Sequence, residues 1–326
     1  MDMETVEEGT RRFSEHIEKA SQFGIKLDVD RNRINKIFVL GMGASGLAGS
    51  ILRAYLEELK SRIQVITVRD YSAPEFVDSD SIVFAVSYSG NTEETISAFR
   101  QARVKSGKSV AITSGGRLEQ ECEESKVPVI RIPPELNQRM ALPYLFFPML
   151  NTLISSGLVK AEVDYRGIVK ALRQVGLADK AEDFSEKLLS RTPLIYSSSR
   201  YYPAAMRWKH SLNQTAKVHA FCNQFPEATH NEIMAFFKET DEFAAVVITD
   251  DSEFKRTDKH LEFAQDAMRK SCETVQITMK GSNYLANMFS AIHIGDLTAL
   301  FLAKKYGLNP DDDSVISSVK AKIKRS

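Results

Sequence analysis

The sequence is poor in cysteine and carries no excess of charge of either sign. Its three cysteines, Cys122, Cys222 and Cys272, are isolated and odd in number, so they match neither a metal-ligand spacing nor a disulfide framework. We expect them to fill small spaces in the core. The 43 basic residues equal the 43 acidic residues, so no overall positive field attracts nucleic acid. Any bound anion must therefore be held by a local site.

Long apolar runs are also missing. The longest is far shorter than a membrane span, and the N-terminus, Met1-Asp2-Met3-Glu4, lacks the charged-then-apolar pattern of a signal peptide. The sequence therefore predicts a cytoplasmic protein without a membrane segment. With 326 residues, of which 43% are hydrophobic, the chain is long enough for two globular domains.

Apolar segments of strand length alternate with helical patterns through both halves of the sequence. This alternation predicts an α/β fold with parallel sheets covered by helices on both faces. We place a boundary after Gly157, giving domains 1–157 and 158–326 that share a rhythm of strand, serine-rich turn and helix. The predicted strands are Lys36–Leu40, Gln64–Val68, Ile82–Val86, Ser109–Thr113, Val127–Ile132, Thr192–Ser197, Val218–Phe221, Phe243–Thr249 and Thr274–Thr278. The predicted helices cover residues 3–23, 47–59, 93–105, 139–153, 201–214, 283–306 and 314–324, with one or two more within 159–190.

A hydroxyl-rich loop, Ser87-Tyr88-Ser89-Gly90-Asn91-Thr92, follows a buried-looking strand and precedes a helix. The N-terminus of a helix leaves backbone N–H groups without partners, and its dipole favours an anion. Ser87, Ser89 and Thr92 would add hydroxyl donors at the same point, which suits a phosphate monoester. The alternative is an ordinary turn in which Ser89 or Asn91 only caps the helix.

A second glycine-rich turn, Gly41-Met42-Gly43-Ala44-Ser45-Gly46, also joins a strand to a helix. Its three glycines match the dinucleotide pattern G-x-G-x-x-G, and Asp70 stands after the next strand, where that motif places a ribose-binding acid. Ser45 within the turn favours instead a hydroxyl-lined phosphate pocket at the carboxyl ends of neighbouring strands.

Two further side chains are candidates for chemistry. Arg139, at the entry to a long apolar helix, is a permanently charged planar donor, although a surface salt bridge explains it equally well from the sequence. His230 carries an imidazole, a side chain suited to proton transfer, but a single histidine before Asn231 and Glu232 is more often structural.

Three segments occur in the order Gly41–Gly46, Ser87–Thr92 and Pro226–Ile233, the last reading Pro-Glu-Ala-Thr-His-Asn-Glu-Ile. Together they resemble the sugar isomerase (SIS) fold, and more narrowly the bifunctional phosphoglucose/phosphomannose isomerases of archaea and some bacteria. The resemblance extends from about Lys36 to Lys320. It implies two SIS domains, a homodimer with active sites at the subunit interface, and glucose, fructose and mannose 6-phosphates as substrates. It also implies that no metal or cofactor takes part.

The resemblance assigns roles to the candidate residues. Ser45, Ser87, Ser89 and Thr92 match the phosphate-binding positions. Arg139 matches the arginine that stabilises the enediolate intermediate.

Two more residues match positions that open the sugar ring. His230 matches the ring-opening histidine, which in the family comes from the partner subunit, and Lys320 resembles a C-terminal lysine that assists it. The family segment Asn-Glu-Asn-Ala-Lys, whose glutamate moves the proton between C1 and C2, corresponds here to Asn213-Gln214-Thr215-Ala216-Lys217. Gln214 therefore stands at the position of the catalytic base.

A second departure from the family lies near the C-terminus. Where the family has a threonine in a Pro-Thr-Pro-like stretch, Pro310 is followed here by Asp311, Asp312 and Asp313. Three carboxylates beside a sugar phosphate would repel it unless they face solvent.

These features leave three functional hypotheses. The first is an active isomerase in which Glu227, Glu232 or a water held by Gln214 replaces the base. The second is a sugar-phosphate-binding or regulatory protein with little isomerase activity, because a neutral amide cannot act as a general base near pH 7. The third, which we rank lowest, is a nucleotide-dependent enzyme that uses the glycine-rich turn.

Overall fold

A computed structural model describes residues 3–251 and 255–323. The chain forms two compact units, each built from more than one stretch of sequence. The first contains the segment ending at Glu4 together with Arg11–Arg173 and Gly281–Asn287, and the second contains Thr5–Thr10, Gln174–Lys280 and the chain from Met288 onward.

The first unit contains a five-stranded parallel sheet in the order β2-β1-β3-β4-β5. Its strands are β1 (Lys36–Leu40), β2 (Gln64–Val68), β3 (Ser81–Val86), β4 (Lys108–Thr113) and β5 (Val129–Arg131). Every residue of β3 is buried, which explains its unbroken apolar sequence, since a central parallel strand is covered on both faces.

Helices cover both faces of this sheet. They are α2 (Phe13–Ala20), α3 (Gly43–Glu58), α4 (Glu93–Ala102), α5 (Gly116–Glu124), α6 (Leu142–Ser155) and α7 (Tyr165–Leu172). Helix α3 packs on the face that carries Val39. The two approach so closely that a Cβ atom on Gly49 would lie 2.9 Å from the Cβ of Val39. Helices α4 and α5 contribute Phe99 and Leu118 to a core on the opposite face, which carries Phe38.

The second unit contains a four-stranded parallel sheet in the order β7-β6-β8-β9. Its strands are β6 (Thr192–Ser198), β7 (Phe221–Phe225), β8 (Phe243–Asp250) and β9 (Glu273–Met279). The remaining helices are α1 (Val6–Arg11), α8 (Leu177–Leu188), α9 (Tyr202–Gln214), α10 (Lys255–Ser271), α11 (Tyr284–Lys305) and α12 (Ser314–Ile323). The predicted α/β class with parallel sheets is confirmed.

Several element predictions need correction. Strand β7 begins at Phe221, where the predicted strand ended, because Val218 instead closes the end of α9 through a backbone hydrogen bond to Leu212. Helices α5 and α10 were not predicted, since each presents only a narrow apolar face in a highly charged segment. The predicted helix over residues 3–23 is two helices that meet at Arg12. The predicted end of the last helix, Lys324, lies outside the described residues.

Helix α11 is long and apolar enough to cross a membrane by length and composition alone. However, 94% of its most apolar window is buried inside the protein, which is the burial of a core helix.

Candidate functional site

The glycine-rich turn after β1 and the end of β3 lie in direct contact in the first unit. A Cβ atom on Gly41 would lie 2.8 Å from the Cβ of Ser45 and 2.9 Å from the carbonyl oxygen of Val86, so only glycine fits there. Ser45 lies in the first turn of α3 and is buried. The chain thus brings Ser45 beside Ser87, the residue after Val86, at the carboxyl edge of the sheet.

Within the loop after β3, Ser87 and Thr92 form a hydroxyl pair with 2.9 Å between their oxygen atoms. Ser87 is buried and Ser89 is exposed. Met42 precedes α3 and Thr92 precedes α4. Within the described part of the chain, neither side chain caps its helix by a hydrogen bond. Two helix N-termini with backbone N–H groups therefore open beside the Ser87–Thr92 hydroxyl pair, which is an arrangement suited to an anion.

The turn after β4 supports this loop from the side. Gly90 has a φ of +64°, and a Cβ atom there would lie 1.7 Å from the carbonyl oxygen of Gly115. The Ser114 hydroxyl donates to the carbonyl oxygen of Tyr88 at 2.6 Å, and the amide of Leu118 donates to that of Gly90 at 2.8 Å. Ser114 therefore helps to fix the hydroxyl-rich loop before any ligand binds.

The segment that carries Arg139 lies next to the same loop. The hydroxyl of Tyr88 lies 3.1 Å from the carbonyl oxygen of Pro133 and 2.8 Å from that of Leu136. The side-chain oxygen of Asn137 accepts from the amide of Arg139 at 3.1 Å, which forms a tight turn just before α6. Arg139 is only 8% exposed, so it is not a surface cation.

Gln214 is the last residue of α9 in the second unit. A buried polar network fixes this helix to α11: Arg207 donates to both carboxylate oxygens of Asp296 at 2.8 and 2.9 Å, and the Ser211 hydroxyl donates to the same carboxylate at 2.5 Å. The indole N–H of Trp208 also donates to the carbonyl oxygen of Ala291 at 2.8 Å. Because the ion pair is bidentate and buried, it fixes the position of α9 and so of Gln214. No sequence pattern predicts this pair, whose members are 89 residues apart.

The carboxylates of Asp311, Asp312 and Asp313 all accept hydrogen bonds. Asp311 accepts from the amide of Val6 at 2.8 Å, and Asp312 accepts from the amide of Ser314 at 2.9 Å. Asp313 accepts from a serine hydroxyl one turn into α12. The aspartate run therefore caps the N-termini of α1 and α12, a role that suits negative charge.

Lys217 links this aspartate loop to the end of α9. Its amino group donates to the carbonyl oxygens of Gln214 and Asp312, both at 2.6 Å. The aspartate loop, which stands where the family has a threonine, is therefore held near the Gln214 backbone.

His230 is exposed at the end of a short 3₁₀ helix, Glu227–His230. Its ring centroid is 6.3 Å from that of His260, whose Nδ1 is 2.9 Å from the hydroxyl of Thr229. We had not identified His260 as a neighbour of His230, because it comes from the unpredicted helix α10.

The two glutamates that flank His230 differ in their surroundings. One oxygen of Glu232 accepts from the Tyr196 hydroxyl at 2.8 Å and the other from the Asn223 amide at 2.7 Å. Burial, followed by the contact with Glu232, raises the pKa of Tyr196, so its hydroxyl stays a donor. Glu232 thus anchors its segment to β6 and β7, whereas exposed Glu227 accepts one bond from Asn231 at 2.7 Å.

Lys320 lies on α12, in which no described residue is buried. One side of this helix exposes a strip formed by Val315, Ile316, Val319 and Ile323. We call these four residues the α12 apolar strip.

The second unit differs from the first at the point that corresponds to Ser87. Strand β8 pairs with β6 as β3 pairs with β1, and β8 ends at Asp250. Both carboxylate oxygens of Asp250 lie 3.0 Å from Nη1 of Arg200, and Tyr201 donates to it as well. The serine-rich turn after β6 therefore faces an internal carboxylate instead of a serine hydroxyl.

The fold and the hydroxyl-lined sheet edge define a class of protein, those built from SIS domains. A family profile described as "SIS domain" matches residues 32–131, and one described as "Bacterial phospho-glucose isomerase C-terminal SIS domain" matches residues 177–323. The solved C-terminal domain of glucosamine-fructose-6-phosphate aminotransferase from Francisella tularensis superposes with a TM-score of 0.75, covering 94% of this chain and 98% of that one. At 15% identity, this likeness shows the fold alone.

Curated relatives define the family more narrowly. The bifunctional phosphoglucose/phosphomannose isomerase of Caldicellulosiruptor bescii is 35% identical over 97% of this chain and 98% of its own length. The enzyme of the same name from Thermoplasma acidophilum is 37% identical over 89% of this chain and 90% of its own length. The chain belongs to the bifunctional phosphoglucose/phosphomannose isomerase family, as the sequence resemblance predicted, and its relatives support a sugar-phosphate isomerase.

Proposed function

We propose that this protein interconverts glucose 6-phosphate, and also mannose 6-phosphate, with fructose 6-phosphate through a cis-enediol. One observation carries the proposal: the partly buried Ser87–Thr92 hydroxyl pair at the N-terminus of α4, with Ser45 beside it. That site offers hydroxyl and backbone donors to a dianionic phosphate. The family relatives supply the rest of the inference, namely an aldose–ketose reaction on the phosphate ester bound there.

The proposed chemistry needs a proton carried between adjacent carbons. After the ring opens, a base removes the proton from C2, and the electron pair of that bond forms the C1–C2 double bond while O1 is protonated. Returning the proton to C1 and removing the proton of the C2 hydroxyl gives the ketose. Arg139 is assigned to the developing oxyanion, which it can stabilise without exchanging a proton, and His230 and Lys320 to the proton transfer between O1 and O5.

The identity of the base is the distinctive part of this proposal. Gln214 can hold a water or a substrate hydroxyl by hydrogen bonds, but its amide does not accept a proton near pH 7. Glu232 is a weaker candidate than Glu227, because both of its oxygens already accept hydrogen bonds from Tyr196 and Asn223. We therefore assign the base to Glu227 or to a water held by Gln214.

The alternative function is that of a sugar-phosphate-binding or regulatory protein. The observation that favours it is Gln214 itself, because the phosphate loop does not depend on that residue. Such a protein would bind fructose 6-phosphate without converting it. Family membership gives no support to the dinucleotide hypothesis, and the cytoplasmic location stays a prediction.

Replacing both Ser87 and Ser89 by alanine is expected to weaken fructose 6-phosphate binding by roughly 100-fold. Each lost hydrogen bond to a charged group is worth ~1.5 kcal/mol, and ~1.4 kcal/mol is a tenfold change in affinity. Isothermal titration calorimetry measures the effect. The matched control is Ser106→Ala with Ser109→Ala, which removes another hydroxyl pair of the first unit, 2.8 Å apart, near the start of β4. Equal affinity in both double variants would disprove the phosphate assignment.

We further propose that the active form is a homodimer and that the α12 apolar strip contributes to the contact between the two copies. Support comes from the exposure of Val315, Ile316, Val319 and Ile323 on one side of a helix with no buried residue in its described length. An amphipathic helix of this kind is normally covered by another apolar surface.

A charged residue in the α12 apolar strip is therefore expected to disrupt the dimer. The mass of wild type from sedimentation should be twice the 36.6 kDa of one chain, whereas the mass of Ile316→Lys should be closer to that of one chain. Ala321→Lys, which adds the same charge on the opposite side of α12, is the control. A wild-type monomer, or a dimer unaffected by Ile316→Lys, would contradict this placement of the contact.

A further inference from the structure

Tyr88 lies between the two serines of the proposed phosphate loop, yet its side chain leads away from that loop. We propose that Tyr88 is a positioning residue that couples phosphate binding to the placement of Arg139. This inference rests on the proposed isomerase function and adds to it a residue whose hydroxyl acts through another side chain.

The hydroxyl of Tyr88 reaches two carbonyl groups of the segment that leads to Arg139. It lies 2.8 Å from the oxygen of Leu136 and 3.1 Å from that of Pro133. A phenol has a single proton to donate, so the two carbonyls share it and are held at a fixed separation. Burial raises the pKa of Tyr88 to about 12, which keeps the hydroxyl protonated at neutral pH.

The backbone of Tyr88 is fixed independently of its side chain. Its carbonyl oxygen accepts from the amide of Ser114 at 2.9 Å and from the Ser114 hydroxyl at 2.6 Å. One end of the residue is therefore held by the turn after β4, and the other end holds Leu136. A phosphate that orders Ser87 and Ser89 must order Tyr88 as well, because it lies between them in the chain.

Only a short, hydrogen-bonded stretch separates Leu136 from Arg139. The side-chain oxygen of Asn137 accepts from the amide of Arg139 at 3.1 Å. The backbone carbonyl oxygen of Asn137 accepts from the amide of Met140 at 2.8 Å. A shift of Leu136 is therefore passed on to the guanidinium instead of being absorbed by a flexible chain. The segment has a second attachment, since the amide of Glu4 donates to the carbonyl oxygen of Glu135 at 3.0 Å. Loss of the Tyr88 hydroxyl should accordingly misplace Arg139 without unfolding the unit.

The test is Tyr88→Phe, which keeps the ring and removes only the hydroxyl. We expect kcat for fructose 6-phosphate to fall roughly 10- to 100-fold, because misplacing a catalytic group by ~1 Å can cost ~10²-fold, with its calorimetric Kd changed less than about twofold. Tyr165→Phe is the matched control, since Tyr165 also donates a partly buried hydrogen bond in the first unit, to Asn151 at 2.6 Å. In an Arg139→Ala background, Tyr88→Phe should cause no further loss of kcat, which a merely structural role would not predict. An unchanged kcat, an equal loss in both backgrounds, or a loss confined to binding would overturn the proposal.

A second measurement separates this inference from the proposed isomerase function. Backbone hydrogen exchange reports whether fructose 6-phosphate protects the amides of residues 136–140 as well as those of residues 87–92. In wild type both segments should gain protection, whereas in Tyr88→Phe only residues 87–92 should do so. Equal protection of residues 136–140 in both proteins would overturn the coupling even if neither protein turns over substrate. The absence of turnover in wild type with this difference intact would instead count against the isomerase assignment alone.

Discussion

Replacing Gln214 by glutamate is expected to raise the isomerisation rate with fructose 6-phosphate by ~10²-fold, within the ~10²–10⁴-fold range that a positioned general base contributes. The variant puts a carboxylate at the end of α9, a helix fixed by the Arg207–Asp296 ion pair, so the new base should be well placed. A coupled assay of glucose 6-phosphate formation, run side by side on wild type and variant, gives both rates.

The control for added charge is Gln174→Glu, at an exposed position of the second unit. An increase in Gln214→Glu alone, over a measurable wild-type rate, supports an isomerase whose base function is weak. A wild type at background with activity appearing only in the variant would favour the binding protein. A good wild-type rate that the variant leaves unaltered would mean that another residue is the base, and Glu227→Gln should then abolish turnover.

Replacing Arg139 by alanine is expected to lower kcat by ~10²–10³-fold, the usual cost of removing one donor from a developing oxyanion. The expected effect is large because Arg139 is only 8% exposed, and charge interactions are stronger at buried positions than in water. Calorimetric affinity for fructose 6-phosphate should change much less, since the phosphate is assigned to the hydroxyl-rich loop.

Arg139→Lys tests whether the reaction needs the guanidinium group itself or only its positive charge. Because lysine lacks the planar fork of donors, we expect this variant to recover only part of the rate lost in Arg139→Ala. Arg131→Ala, an exposed arginine of the same unit, serves as the matched control. A normal kcat in Arg139→Ala, or a loss explained wholly by weaker binding, would remove Arg139 from the mechanism.

The sheets were the most predictable part of the fold. Strands such as β3 and β8 are buried almost throughout, so their sequences are continuous apolar runs bounded by turns. Edge strand β7 has the sequence Phe-Cys-Asn-Gln-Phe, in which only Phe225 is buried. Because this sequence is not a continuous apolar run, the strand was predicted too early in the chain. Helix α10 was missed for a related reason, because its buried residues form a narrow line within a charged sequence.

One part of the candidate site is defined by residues that are neighbours in the sequence, and another part is defined by contacts between distant residues. The hydroxyl-rich loop and the glycine-rich turn are contiguous in sequence, and each could be recognised from a few residues. The environment of Glu232 could not be recognised in this way, since its partner Tyr196 lies 36 residues away on strand β6. The roles of the site residues, including that of Gln214, stay predictions.

By itself the sequence determined the fold class, the family and the loops to which we assign the phosphate, because periodic burial and turn chemistry act over neighbouring residues. Only the tertiary structure decided that Asp311 caps α1, that Arg207 and Asp296 fix the helix ending at Gln214, and that Tyr88 reaches the segment of Arg139. Each of these depends on hydrogen bonds between residues far apart in the chain. Such bonds form only after folding has brought their elements together, so no local pattern records them.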